Sequence, residues 1–191
     1  ATVLTKDGRR MSKSLGTGIN PLELIEKYGT DALRFGLAYQ ATALQDMRFN
    51  EDVIVMGQKF ANKFWNIARF VLTKSGGEMS AEAPRPSSET EESRLLAKLS
   101  TTAKQVTKNI EQYKFSEAAH LLYDFTWHDF ADKYIEYSKD KKTDDVKTAL
   151  SHTFLTCLKL LHPFMPFVTE EIHSRLPLKN KKMLLVEEWP S

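Results

Sequence analysis

The sequence predicts a mainly α-helical protein, in which a small β-α-α unit carrying a charged loop precedes a helical bundle. Three observations support this fold class. A strong two-residue turn signal near the N-terminus separates two short segments typical of strands. Most of the remaining chain repeats apolar residues every three or four positions, which is the period of an amphipathic helix. A stretch rich in Ser, Pro, Gly and Glu divides these helical segments into two groups.

The composition is that of a globular chain with one large domain or two small ones. The 191 residues are 41% hydrophobic, and the single cysteine cannot form an internal disulfide. Nothing therefore indicates an oxidising compartment, and no apolar run approaches the length that spans a bilayer. We expect a cytoplasmic protein with no membrane association. The net charge is only +2, but acidic residues concentrate within 75–92, and the mildly basic remainder is compatible with RNA binding.

The first unit is expected to begin with a hairpin. Val3 to Lys6 and Arg9 to Met11 have the pattern of short strands, and Asp7-Gly8 between them is a favoured two-residue turn. Two short helices follow. Asn20 is placed as the N-cap of a helix over 21–28, and either Thr30 or Asp31 is placed to cap a second helix over 32–40. We assign residues 1–50 to this β-α-α unit.

The loop that follows the hairpin carries most of the chemical information in this unit. It combines two cations, two hydroxyls and a glycine within seven positions: Arg10, Met11, Ser12, Lys13, Ser14, Leu15 and Gly16. Lysine supplies a point charge, serine a short donor, and glycine a close approach of the backbone, so such a loop suits a polyphosphate. The alternative is an ordinary solvated hairpin tip, as most short basic loops are.

A long helix is expected over 52–73. Its apolar residues form one face at steps of three or four: Met56, Phe60, Phe64, Ile67 and Val71. Trp65 and Phe70 lie off this face. One interpretation is that the helix is buried on both sides. The other is that Phe70 stacks on an unpaired RNA base while Lys63 and Arg69 contact phosphate, and we retain it for these three residues but not for Trp65.

The second helical group follows a flexible linker at 75–87. Ser88 and Glu91 have the spacing of a capping box, and Ser116 and Thr143 are placed to cap two further helices. The inward-facing residues of these three helices are, in order, Leu95, Leu99, Ala103, Val106 and Ile110, then Tyr123, Trp127, Phe130, Tyr134 and Tyr137, then Val146, Leu150, Phe154, Cys157 and Leu161.

A last helix is expected over 164–176, and Met183 to Val186 has the composition of a short strand. We assign 51–178 to a helical domain and 179–191 to a truncated C-terminal extension. No metal site is expected, because His128 and Asp132 are only two ligands, one helical turn apart.

The order of the loop residues adds to this interpretation. Arg10 to Ser14 resembles the Lys-Met-Ser-Lys-Ser motif of the class I aminoacyl-tRNA synthetases, with arginine at the first lysine. The continuation through 14–23 and 28–35 resembles the subgroup that charges valine, isoleucine and leucine. The stretches 45–49 and 60–66 are most similar to the valine enzymes. Thr17 and Asn20 depart from the family, which often has asparagine and aspartate there.

The bundle also resembles this family. Segments 113–119, 127–136 and 161–172 are similar to the helical anticodon-binding domain of the valine enzymes. Lys133 departs from the family pattern, which often has tryptophan there. The resemblance covers nearly the whole chain except the linker and about the last fifteen residues. Since Ala1 opens inside a predicted strand and is not a start methionine, we expect a piece of a longer protein.

The resemblance implies that the chain is the C-terminal part of a valine–tRNA ligase. ATP with its Mg²⁺, valine and tRNA(Val) would then be partners of the full enzyme. Lys13 would stabilise charge on the leaving pyrophosphate, and Arg10, Met11, Ser12 and Ser14 would complete the ATP-binding loop. The piece alone is expected to be a catalytically inactive monomer that binds the anticodon arm. The alternatives are the same region of an isoleucyl- or leucyl-tRNA synthetase, or a helical interaction module without an RNA role.

Overall fold

The structure is a computed structural model that describes residues 2–12, 16–41, 46–77, 79, 89–178 and 181–190. The prediction of a mainly α-helical chain with a small N-terminal β-α-α unit is confirmed. The elements in order are β1 (Val3–Leu4), α1 (Pro21–Tyr28), α2 (Thr30–Gln40), β2 (Met47–Arg48), α3 (Glu51–Ser75), α4 (Glu91–Glu111), α5 (Phe115–Asp124), a π-helical segment (Phe125–Ile135), α6 (Glu136–Ser138), α7 (Asp144–Leu161), α8 (Pro166–Arg175) and a 3₁₀ turn (Leu184–Val186).

The N-terminal hairpin is smaller than predicted. The turn is present, since the amide of Thr5 donates to the carbonyl oxygen of Arg9 at 2.8 Å. The second predicted strand is wrong, because only one antiparallel bridge forms there, between Leu4 and Arg10. β1 pairs instead in parallel with β2, placing Val3 beside Met47. A two-residue strand has too short a pattern to be recognised in the sequence.

The two short helices of the first unit are placed almost as expected. Asn20 caps α1, where its side-chain oxygen accepts from the amide of Leu22 at 3.1 Å. The predicted cap of α2 is wrong, because Gly29 occupies the N-cap position and α2 already begins at Thr30. Asp31 lies inside the first turn of α2 and is buried.

The predicted start of the second helical group is shifted. Thr90 and Ser93 form the capping box of α4, with the amide of Ser93 donating to Thr90 Oγ1 at 3.2 Å. The predicted cap Ser88 lies outside the described residues, and Glu91 is the first residue of α4. The hydroxyl of Ser93 accepts from the backbone amide of Thr90, which is the role that the prediction gave to the carboxylate of Glu91.

The aromatic helix departs from expectation at its start and in its middle. Ser116 is not a cap, because α5 already begins at Phe115. The hydroxyl of Ser116 instead donates to the carbonyl oxygen of Tyr39 at 2.7 Å. The helix then continues through a π-helical segment, which is rare and changes which side chains face inward. Phe130 and Tyr134 are buried as predicted, whereas Tyr137 is 38% exposed.

The last elements close the bundle. The inward face predicted for α7 is confirmed, since Val146, Leu150, Phe154, Cys157 and Leu161 are all buried. The predicted strand over Met183 to Val186 is wrong, because Leu184–Val186 forms a 3₁₀ turn. Leu184 alone of this group is buried, and its amide donates to the carboxylate of Glu170 at 3.0 Å.

One large core joins the bundle to the first unit. Phe35 of α2 lies in the same apolar cluster as Phe60, Phe64 and Phe154. A second, smaller cluster lies between the first unit and the start of α3: Leu24, Ala32, Leu33, Phe49 and Ile54. None of the helices that the structure describes is both long and apolar enough to cross a membrane.

Candidate ATP-contacting loop and nucleic-acid face

The base of the charged loop is closed by Ser12 and Thr17. The amide of Ser12 donates to Oγ1 of Thr17 at 3.0 Å, and the amide of Thr17 donates to the carbonyl oxygen of Ser12 at 3.1 Å. Lys13 and Ser14, which the sequence assigns to phosphate, lie outside the described residues. The hydrogen-bonded pair fixes the points at which the chain enters and leaves this tip.

The entering side of the loop is attached to the core of the first unit. Met11 is half-buried and packs against the small cluster that includes Leu24 and Phe49. Arg10, a described basic residue of the motif, is exposed, and its backbone forms a bridge to Leu4. The arrangement leaves a cation at the loop entrance while an apolar side chain anchors the backbone beside it.

The first unit is fastened to the bundle by polar contacts to the α7–α8 corner. The carboxylate of Asp31 accepts from the amides of Phe167 and Val168 at 3.2 and 2.5 Å and so caps α8 from a distant part of the chain. Burial raises the pKa of the Asp31 carboxyl, although these two amides oppose the shift. Nη2 of Arg34 donates to the carbonyl oxygen of Pro163 at 3.0 Å. The loop unit is therefore positioned against the bundle.

The three predicted RNA contacts lie on α3 but do not form one site. Lys63 is engaged within the protein: its Nζ lies 3.0 Å from a carboxylate oxygen of Asp132 and 5.2 Å from the centre of the Trp127 ring. Arg69 is exposed and lines one pocket, whereas Phe70 lines another. The structure thus separates residues that are adjacent in sequence.

The pocket beside Arg69 has an indole as its main aromatic surface. Trp65 is half-buried, and the guanidinium of Arg175 lies 5.2 Å from the centre of its ring. Arg175 is also paired with Glu171. Among the described residues, Arg69 has no ion-pair partner, so its charge is available to an external anion. Trp65 packs against the core, as predicted.

The pocket beside Phe70 is surrounded by lysines that sequence reasoning missed. Its lining consists of Phe70, Thr73, Lys74, Lys142 and Lys147. Two of these lysines are about seventy residues from Phe70 in sequence, and only the fold brings the start of α7 beside the end of α3. The available signal was the lysine-rich stretch 139–142, which has no apolar periodicity of its own.

The remaining reactive side chains that the sequence drew attention to are a buried cysteine and a histidine–aspartate pair. Cys157 is completely buried, and burial raises the pKa of its thiol to about 12, so it remains protonated as a core residue. Nδ1 of His128 lies 3.4 Å from a carboxylate oxygen of Asp132. No group of three potential metal ligands occurs in the part of the chain that the structure describes.

Comparisons with known families match both parts of the chain. Residues 92–191 match the family described as "Anticodon-binding domain of tRNA ligase". Residues 1–50 match the family described as "tRNA synthetases class I (I, L, M and V)". The two matches lie on either side of α3, the helix that carries Lys63, Arg69 and Phe70.

Curated relatives match over nearly the whole chain. The valine–tRNA ligase of Thermotoga maritima is 43% identical over 192 residues, covering 98% of this chain and 22% of that protein. Those of Oceanobacillus iheyensis and Aquifex aeolicus are 39% and 36% identical, covering 96% and 100% of this chain and 22% and 18% of the relatives. The chain thus spans about a fifth of the length of these relatives.

A solved structure has the same fold. The chain resembles the leucyl-tRNA synthetase in a ternary complex from Agrobacterium radiobacter K84, with a TM-score of 0.82 and 23% sequence identity. The similarity covers 100% of this chain and 23% of that one. At this level of identity the comparison establishes the arrangement of helices.

Proposed function

Since the chain belongs to the tRNA ligases that carry this anticodon-binding domain behind a class I segment, we propose that it is the C-terminal part of a valine–tRNA ligase. The observation that carries the proposal is the 36–43% identity to valine–tRNA ligases across both segments. The leucyl enzyme of the same fold is only 23% identical, which favours valine over leucine. We further propose a cytoplasmic location and a monomeric state for this part.

In the proposed reaction, the carboxylate of valine attacks the α-phosphate of ATP, forming valyl-adenylate and releasing pyrophosphate. The acyl group then passes to the terminal ribose of tRNA(Val). ATP would bring Mg²⁺ as its counterion. Lys13 would face the charge that grows on the leaving pyrophosphate, while Arg10, Met11, Ser12 and Ser14 form the rest of the ATP-contacting loop. A fixed cation in this place acts by electrostatic stabilisation, and losing it costs about 3 kcal/mol of transition-state free energy.

The closed base of the loop supports this role. A phosphate-binding tip must be held with little freedom, because the entropy of ordering it would otherwise oppose binding. The paired hydrogen bonds between Ser12 and Thr17 and the half-buried Met11 restrict the described base of the loop. Asp31 and Arg34 join the same unit to the bundle, so tRNA bound there has a fixed relation to the unit that carries the loop.

The bundle is proposed to bind the anticodon arm of tRNA through α3. Arg69 and Phe70 are proposed to contact phosphate and an unpaired base, and Lys63 to add positive charge despite its pairing with Asp132. Binding through a few cations is steeply dependent on salt. The 191-residue chain contains only the class I segment 1–50, so we propose that it has no activity alone.

The catalytic part of the proposal is tested by Lys13→Ala in the complete ligase. The expected result is a loss of about a hundredfold in pyrophosphate exchange with an unchanged KM for valine, because the cation acts on the leaving group. Arg9→Ala is the matched control, since Arg9 is a neighbouring cation paired with Asp7 in the turn. Equal exchange rates for Lys13→Ala and the wild type would refute the role.

The RNA-binding part is tested by filter binding of the complete protein at two salt concentrations. A valine tRNA is expected to bind more tightly than an unrelated tRNA, with affinity falling as salt rises. Equal binding of both tRNAs would argue against a role of this part in selecting the valine tRNA. Preference for an isoleucine or leucine tRNA would instead place the chain in a related ligase.

A further inference from the structure

We propose that the turn between α4 and α5, with Tyr113 and Phe115 at its tip, is the surface on which the part of the class I region preceding residue 1 docks in the complete ligase. This proposal rests on the proposed function, in which residues 1–50 are the end of that region. It assigns two anchoring side chains to the contact. We call Tyr113, Phe115 and the pocket that adjoins Phe115 the turn surface.

The backbone of Tyr113 has a conformation that disfavours a tyrosine. The amides of Tyr113 and Lys114 donate to the carbonyl oxygens of Ile110 and Asn109 at 3.0 and 2.8 Å, which is the Schellman arrangement at the end of a helix. Its central residue is left-handed, and the φ angle of Tyr113 is 59°. Glycine is usual there, because a β-carbon is strained in this conformation. A tyrosine is therefore unfavourable for the stability of the turn itself.

Burial within this chain does not compensate for that strain. The side chain of Tyr113 is 77% exposed, and that of Phe115 is 42% exposed. Their ring centres are 6.1 Å apart with the planes at 89°, so the two rings form an edge-to-face pair at the surface. Backbone strain under an exposed aromatic side chain is typical of a residue that serves a contact outside the part of the chain it belongs to.

An apolar pocket adjoins this pair of rings. It has a volume of about 360 Å³ and lies between α2 and the bundle. Arg34 is the charged residue of its lining, and the guanidinium is already engaged with the carbonyl oxygen of Pro163 at 3.0 Å. Such a surface suits the apolar side chains of a protein partner, with the aromatic rings as anchors. The apolar lining consists of Leu37, Ala38, Ala41, Ile110, Phe115 and Phe164.

The turn surface continues an interface that is already present. On the same side of α2, Phe35 meets Phe164 edge-on with ring centres 6.5 Å apart, and Tyr39 stacks on His120 at 3.6 Å. α2 lies within residues 1–50, the segment that matches the class I family. The chain spans about a fifth of the length of its valine–tRNA ligase relatives. The remaining class I region joins the unit that carries α2, so it extends this interface towards the α4–α5 turn.

The chemistry of the turn surface favours protein over RNA. It lies beside the C-terminal end of α7, whereas the pocket beside Phe70 lies at the start of that helix, and 18 residues of helix separate the two by about 27 Å. Lys114 lies between the two rings in sequence but lines a different pocket, together with Glu117 and Asp124. A phosphate backbone requires cations that it can pair with, and this apolar lining offers only the engaged Arg34.

The test is hydroxyl-radical footprinting of the complete ligase without tRNA. Solvent-exposed side chains oxidise faster than covered ones, and Tyr137 in α6 is an internal reference of the same residue type. Exposures of 77% and 38% mean that a free Tyr113 oxidises faster than Tyr137. Docking is expected to reverse this order and to slow Tyr113 about fivefold, because the centre of an interface excludes water. Faster oxidation of Tyr113 than of Tyr137 would overturn the turn surface.

Variants of the complete ligase test the anchoring role of the ring. Tyr113→Gly removes the ring and the strain, whereas Tyr113→Ala removes the ring and keeps a strained β-carbon. Both are expected to raise the oxidation rate of Phe115 about fivefold, since the loss of an anchor opens the contact to water. Leu185→Ala is the control, because Leu185 is a 70% exposed apolar residue in the 3₁₀ turn. An unchanged rate at Phe115 in both Tyr113 variants would contradict the docking contact.

A photo-crosslinker identifies the occupant. With p-benzoylphenylalanine in place of Tyr113, crosslinks are expected to peptides that precede residue 1 in the same molecule. Crosslinks to a second copy, or to tRNA only, would assign the surface to another partner and overturn the proposal. Valine-dependent pyrophosphate exchange of the wild type reports separately on the proposed function. Exchange with an unprotected Tyr113 refutes the turn surface alone, and protection without exchange refutes the valine ligase alone.

Discussion

A β-carbon added to Gly57 would lie 2.7 Å from the carbonyl oxygen of Ala32, so α2 and α3 touch backbone to backbone at this point. The same crossing brings Gly36 against Ile54, where an added β-carbon would lie 2.5 Å from Cδ1. α2 belongs to the unit that carries the charged loop, and α3 is the first helix of the bundle. Two glycines therefore set how closely these parts approach.

Gly57→Ala is expected to destabilise the protein by about 1–3 kcal/mol, because the backbone oxygen of Ala32 cannot rotate away from the new methyl group. The loss would be larger without the helix propensity of alanine, which favours the change by about 1 kcal/mol. Urea unfolding measures the difference. Asn62→Ala, at an exposed position of the same helix, is the control and is expected to change stability little. A Gly57→Ala protein as stable as the control would mean that the helices can separate at no cost.

Asp31→Ala is expected to cost about 1–2 kcal/mol, because it leaves the amides of Phe167 and Val168 without their acceptor. Asp31→Asn retains one acceptor oxygen and is expected to lose less. Thermal unfolding of both variants checks this order. Asp52→Ala removes an exposed carboxylate paired with Lys6 at 3.7 Å and serves as the control. If Asp31→Ala matches that control, the cap contributes no stability.

Thr17→Val in the complete ligase is expected to slow pyrophosphate exchange several-fold while the KM for valine stays the same. Valine keeps the shape of threonine but removes the oxygen that accepts from the amide of Ser12, so the loop base becomes less ordered. Thr101→Val is the matched control, because the hydroxyl of Thr101 donates to the carbonyl oxygen of Ala97, one turn earlier in α4 and far in sequence from the loop. A normal rate for Thr17→Val would show that the backbone bond alone closes the loop.

The buried His173 is expected to make stability depend on pH. Burial lowers the pKa of His173, whereas Glu170 and Glu187 oppose this shift. The unfolded chain therefore binds the proton first as pH falls below about 6.5, and stability decreases with acidification. His173→Gln is expected to lose less free energy of unfolding between about pH 7 and pH 5 than the wild type does. Parallel losses in urea unfolding would contradict a contribution from His173.

Local signals predicted the helices well where the sequence carried both a cap and a period. Asn20 capping a helix over 21–28 is confirmed, and the apolar stripe of the long helix is buried at Phe60, Phe64 and Val71. Ser116 was misplaced because a serine before an apolar run has the same local appearance whether it caps its own helix or donates to Tyr39. A hydrogen bond across 77 residues leaves no local pattern.

The two candidate sites also differ in how much of each could be predicted from local sequence. The charged loop is contiguous, so its residue types and order gave a prediction of phosphate binding, which stays a prediction. The pocket beside Phe70 joins residues from α3 and from the start of α7, and only Phe70 of its lining was singled out from the sequence. Lys63 was assigned to RNA from its spacing alone, and the structure places its amine beside Asp132.

The sequence by itself determined which segments are helical, where the charged loop lies and most of the side chains that face the core, because capping, periodicity and turn chemistry act over a few residues. The tertiary structure decided how the two units are joined, through Gly57 against Ala32 and Asp31 at the start of α8. It also decided which cations are already paired and which face solvent. These features depend on distances between residues far apart in the chain, which packing alone sets.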